Sequence, residues 1–175
     1  METMARRIVR AALAGLAVAF IGASGATAQG APKLVTQSGD WGVYKDESGG
    51  GKICYALSQP KTRAPSGLSR DPAYFFISTR TAENVKGEVS VVMGFPLKEG
   101  VDATLTIGPT SFDLYTRGTG AWVRNAAEEA RLVEAMRKGR DVVVKSTSLR
   151  GNVTTDTYSL SGISAAIDRA AQECR

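Results

Sequence analysis

Val101-Asp102-Ala103-Thr104-Leu105-Thr106-Ile107 alternates apolar and polar side chains without a break. A period of two with one polar side is a strand on an antiparallel sheet, half buried and half wet. Brief β-rich runs of the same kind recur at 40–45, 52–58, 74–77, 89–93, 111–115, 121–124, 142–144 and 153–158, after an extended lead-in at 32–38. Turn residues separate them, among them Ser48-Gly49-Gly50-Gly51, Gly108-Pro109, Gly118-Thr119-Gly120 and Arg150-Gly151-Asn152. Punctuation about every 8–12 residues is the signature of a sandwich or barrel. The runs at 40–45 and 52–58 read as a hairpin with a loose tip. The continuous apolar run Tyr74-Phe75-Phe76-Ile77 predicts a central strand with both faces covered.

Two helices interrupt this pattern. Asn125 followed by Glu128 makes a capping pair, and Ala126, Ala130, Val133 and Met136 then recur at helical spacing. Glu128 and Glu129 sit in the first turn, Arg137 and Lys138 in the last, and Gly139 supplies the stop. A closing helix spans about 162–173, with Ile163, Ile167, Ala170 and Cys174 along one stripe.

The first 28 residues read as a cleavable export signal. Arg6, Arg7 and Arg10 form a cationic start, residues 11–23 carry no charge, and Ala26-Thr27-Ala28 offers small residues to a signal peptidase. A membrane anchor would need about 20 apolar residues, and Arg10 interrupts this stretch early. The Arg6-Arg7 pair lacks the flanking pattern of a twin-arginine signal, which favours ordinary secretion. Residues 29–175 then form a single domain, long enough for a proper core and with no transmembrane segment. The net charge is +5, of which two units leave with the signal, and the remainder is spread rather than clustered. That excludes a nucleic-acid footprint. Histidine is absent, so Ser-His-Asp and Cys-His nucleophilic machinery is missing, as is the commonest transition-metal ligand. No cofactor or metal site is expected.

Export decides what Cys54 and Cys174, the only cysteines, can be. Outside the cytoplasm a lone pair is most simply a disulfide; two buried thiols are the alternative. On its strand Cys54 shares a side with small Ala56, opposite Ile53, Tyr55 and Leu57. That side leaves room for the closing helix to approach, and the two sulfurs are expected to meet there.

Gly39-Asp40-Trp41, Cys54 followed by Ser58-Gln59, Leu149-Arg150-Gly151, and Tyr158-Ser159-Leu160-Ser161-Gly162 leading to Ala165-Ala166 and Cys174 together resemble the invasion associated locus B family. The resemblance implies an exported bacterial protein with an immunoglobulin-like antiparallel β-sandwich. It also implies a part in host-cell invasion or envelope function, and it supplies no catalytic residues.

Three short motifs suggest chemistry and are better read as structure. Ser58-Gln59-Pro60-Lys61 spells the Ser-x-x-Lys of penicillin-recognising enzymes, but it follows a strand and Pro60 disfavours a helical Gln59. Gly118-Thr119-Gly120 lacks the third glycine of a dinucleotide loop, and Asn152-Val153-Thr154 reads as turn and strand rather than a glycosylation acceptor. The segment 59–72 is the candidate interaction loop. It carries Lys61, Arg63 and Arg70, three stiffening prolines and no acidic residue before Asp71.

The expectation is a mainly β sandwich with two short helices, the C-terminal one tethered by a disulfide. Its function would be non-catalytic binding of a protein partner in the periplasm or at the cell surface, in the envelope or on a host cell. Two alternatives remain: a histidine-free enzyme using a pair drawn from Glu88, Asp102, Asp113 and Asp156, and an envelope protein that self-assembles through an exposed strand edge.

Overall fold

A computed structural model describes residues 31–48 and 50–175, so the expected export segment lies outside the described residues. In chain order the elements are β1 (Lys33–Ser38), β2 (Trp41–Asp46), β3 (Ile53–Ser58), β4 (Thr62–Ala64), β5 (Tyr74–Arg80) and β6 (Val85–Val92). There follow β7 (Ala103–Ile107), β8 (Thr110–Arg117), β9 (Gly120–Val123), α1 (Ala126–Lys138), β10 (Asp141–Thr147), β11 (Val153–Ser159) and α2 (Ile163–Glu173).

All strands join one antiparallel sheet in the order β1-β2-β3-β5-β6-β9-β8-β7-β10-β11-β4. The expected hairpins close where the glycines lie, β2 with β3, β7 with β8 and β8 with β9. The sheet folds over on itself, because strands distant in that order face one another. Phe75 on β5 meets Tyr158 on β11 edge to face, with ring centroids 5.3 Å apart. Trp41 on β2 donates Nε1–H to the Ser159 carbonyl on β11 at 2.9 Å. One continuous core lies between the layers, and its largest fully buried side chains include Trp41, Tyr158, Phe75 and Met93. The mainly β, sandwich-like architecture with two helices holds. Its layers are two regions of one sheet.

The strand expected to be covered on both faces is not. Phe75 and Ile77 point into the core, whereas Tyr74 and Phe76 are half-buried on the outer face. β5 is central in strand order, but no element of the described residues covers that face. An aromatic row shields it instead: Tyr44 stacks on Tyr55 at 5.3 Å, and Phe76 meets Tyr55 at 5.7 Å.

α2 packs on β2 and β3, over the small side of β3. Cys54 and Cys174 form a disulfide that closes a separation of 120 residues. The buried stripe of α2 is Ile163, Ala166 and Ala170, with Ile167 at its margin. A helix this short is marginal by itself in water, so packing and the covalent tether hold it in place. α1 is capped as expected, with the Asn125 side chain accepting from the Glu128 N–H at 2.9 Å. Its buried residues are Leu132 and Met136 rather than Ala126 and Ala130. The longer apolar pair, at i and i+4, removes more surface from water than the alanines and sets the helix rotation.

Candidate functional site

The segment 59–72 is not an open loop. β3 ends at Ser58 and the chain crosses to the other edge of the sheet, where β4 pairs with β11. The Lys61 N–H donates to the Thr157 carbonyl at 2.7 Å. The short length of β4 and its flanking prolines, Pro60 and Pro65, conceal it from any period-two reading.

Of the three basic residues singled out there, two turn inward. Arg63 donates Nε–H to Asp156 Oδ2 at 3.0 Å, Nη1–H to the Asp71 carbonyl at 2.8 Å and Nη2–H to the Met93 carbonyl at 2.7 Å. Arg70 donates Nη1–H to Asp156 Oδ1 at 3.4 Å and Nη2–H to the Pro65 carbonyl at 3.0 Å. The Asp156 side chain is wholly buried and that of Arg70 is 7% exposed. Lys61 stays at the surface and pairs with Asp40. Lys61 and Ser159 bond to the Asp40 carboxylate and hold it below its usual range.

Asp156, one of the four carboxylates expected as candidates for an acid–base pair, is instead the buried counter-ion of Arg63 and Arg70. The signal was present: Thr154, Asp156 and Tyr158 share the inward face of β11. A carboxylate aimed into a core requires a cationic partner. Burial pushes its carboxyl above the ordinary range, opposed by the charge of Arg63, its hydrogen bond, and the charge of Arg70. The neighbouring Tyr158 hydroxyl is buried without a partner among the described residues. Burial, helped by the charge of Asp156, raises its titration well above the ordinary tyrosine value.

Arg70 of this ion cluster lines a cleft of about 840 Å³. Leu68, Phe95 and Leu149 contribute apolar surface, and Arg70, Ser148 and Thr154 contribute polar groups. Gly94, one of the lining residues, lets the backbone at Asp71 and Pro72 pack closely, because a side chain there would strike their carbonyls. The Asp71 N–H in turn donates to the Gly94 carbonyl at 3.0 Å. A second concavity, about 880 Å³, runs between α1 and the β7–β8 turn, with Ile107, Phe112 and Ala135 beside Arg131 and Lys138.

The four strand carboxylates do not assemble into a buried acid–base pair. Glu88 is held bidentately by Arg80 at 2.8 and 3.0 Å, Asp102 by Arg124 at 2.6 Å, and Asp156 by Arg63 and Arg70. Asp113 is exposed on the β7–β8 hairpin, within electrostatic reach of Arg124. Ser58 donates its hydroxyl to the Asp40 carbonyl at 2.8 Å, so the serine of Ser-x-x-Lys ties the end of β3 to the residue that precedes β2.

Residues that lie far apart in sequence thus converge on Asp40 and Trp41. Besides Ser58, the Ser161 carbonyl accepts from the Asp40 N–H at 3.0 Å, and Ser159 accepts from Trp41. Residues 41–171 match the family model of invasion associated locus B (IalB) protein. The chain belongs to the IalB family. No curated protein and no solved structure matches it. The IalB match begins at Trp41 and extends into α2, so it covers both sheet layers and every wall of the cleft. No helix among the described residues is long and apolar enough to cross a membrane.

Proposed function

We propose that this IalB-family chain is an exported, non-catalytic binding protein of the periplasm or cell surface, with a protein of the envelope or of a host cell as its partner. The observation that carries the reading is the bond between Cys54 and Cys174, which ties the last helix to β3. Such a bond forms and persists in an oxidising compartment. The cationic, apolar and small-residue pattern of residues 1–28 supports the same route. Glu88, Asp102 and Asp156 are each engaged by guanidinium partners rather than by a second carboxylate, which favours binding over paired acid–base chemistry.

Fractionation of cells producing the protein, combined with crosslinking in intact cells, tests this. The expected result is a protein in the periplasmic or surface fraction, with both cysteines resistant to alkylation until reduced and with discrete crosslinked partners. A cytoplasmic protein with two alkylatable thiols would overturn it.

A further inference from the structure

The cleft beside Arg70 has an electrostatic composition that its structural duties do not account for. Arg70 and Arg150 line it with Asp71 as the one lining carboxylate, and Asp156, bonded to Arg70 and Arg63, is not part of the lining. Asp156 is shared between two arginines, and Asp71 is exposed. Arg63 is fully employed in fastening the chain, with three of its nitrogens bonded. Arg70 is not: its bond to Asp156 is long, and its Nε–H has no protein acceptor among the described residues. A guanidinium removed from water with only part of a counter-charge is costly, and an anion supplied from outside offsets that cost. The planar fork of arginine matches a carboxylate in two parallel hydrogen bonds.

The opposite walls are apolar. Leu149 is 64% exposed and Leu68 37%, side chains left in water at the mouth of a concave surface, and half-buried Phe95 continues the same lining. Thr154 and Asn152 are also lining residues. A cleft of this size, mostly apolar with a few convergent polar groups, has the usual make-up of a small-molecule site.

We propose that this cleft binds an organic carboxylate, with the anionic end on Arg70 and the apolar body against Leu68, Phe95 and Leu149. The proposal rests on the reading of the chain as a binding protein and names the chemistry of one ligand. Bulk and charge select it together: a free inorganic anion would leave the leucines in water, and a neutral lipid would leave Arg70 under-compensated.

Titration of the purified, oxidised protein with octanoate, followed by calorimetry and by amide chemical shifts, tests the assignment. Octanoate is expected to bind saturably, with shifts concentrated at residues 68–72, 94–96 and 148–154. 1-Octanol and inorganic phosphate are expected to bind at least tenfold more weakly. Arg70→Met removes the fork, and Leu149→Asp places a repelling charge on an exposed wall without touching the core. Each is expected to weaken octanoate at least tenfold, and the second keeps the test valid if the first impairs folding. No saturable octanoate binding by the folded protein, equal binding of octanol or phosphate, or unchanged affinity in Leu149→Asp would overturn the proposal. If octanoate fails while envelope crosslinks persist, the cleft assignment falls and the binding-protein reading stands.

Discussion

Gly39 and Gly162 lock the start of the sheet to the start of the last helix by pressing backbone against backbone. Both adopt positive φ, 55° and 86°. A side chain on Gly39 would strike the Ser161 carbonyl, and one on Gly162 would strike the Ser38 carbonyl and the Gly39 nitrogen. Alanine at either position therefore meets a left-handed backbone penalty of about 1–2 kcal/mol and, in addition, forces the two segments apart. Urea unfolding of Gly39→Ala and Gly162→Ala is expected to show losses above that range. A loss within error of zero in either variant would show that the contact is not tight.

Asp156 is the single carboxylate between Arg63 and Arg70, and its removal leaves both guanidinium groups without a counter-charge. Breaking a buried pair from one side costs about 3–5 kcal/mol. Asp156→Asn is expected to lose stability on that scale, read as a fall in the urea midpoint. Adding Arg70→Met to that variant should recover part of the loss, since it removes one of the stranded charges. An additive or larger loss in the double variant would contradict the coupling.

Glu129 reaches from α1 to accept the Val89 N–H on β6 at 2.6 Å. Burial raises its carboxyl above the ordinary glutamate value, against the lowering effect of that hydrogen bond, with Glu88 adding to the rise and Arg80 opposing it. An acid that ionises less readily when folded contributes stability that is complete below the ordinary glutamate range. That contribution is lost as pH rises through the folded value. Glu129→Gln keeps an acceptor for Val89 and cannot ionise. Unfolding free energies measured in steps from about pH 3 to pH 8 should show the variant gaining on the wild type as pH rises, then levelling off. Parallel pH profiles would remove this account.

The disulfide joins residues 120 positions apart and secures a helix of 11 residues. Loops of that length stabilise by about 4–5 kcal/mol in chain-entropy models, within an observed range of roughly 0–5 kcal/mol. Cys174→Ser is expected to lose about 2–5 kcal/mol in urea unfolding, with a smaller helical signal because α2 frays. Reductant should lower the wild-type midpoint to that of the variant and leave the variant unchanged. A variant as stable as the oxidised protein would show that packing alone holds α2.

How much of this was legible in the sequence varies with the range of the interaction responsible. The alternation over 103–107, the glycine turns and the Asn125 cap are local, and they appear where the residues place them, although the strand starts at Ala103 and leaves Val101 exposed. The meeting of Cys54 with Cys174 was also readable, from a strand face with small residues and a helix stripe. β4 was hidden because three residues between prolines carry no periodicity, and its pairing partner lies some 90 positions away. The inward turn of Arg63 and Arg70 was hidden for a related reason. Their side chains look like those of a solvated loop until β11 presents Asp156 beneath them. The open outer face of β5 could not be seen in Tyr74-Phe75-Phe76-Ile77, because aromatic stacking between neighbouring strands substitutes for a covering layer.

The sulfur that secures α2 comes later in the chain than every strand it helps to hold. A polypeptide emerging from its amino end must therefore deliver all eleven strands of the described residues before Cys54 can find Cys174, and any product cut short within β11 lacks the means to be sealed. Covalent closure in this protein thus reports that synthesis has passed β11 and α2.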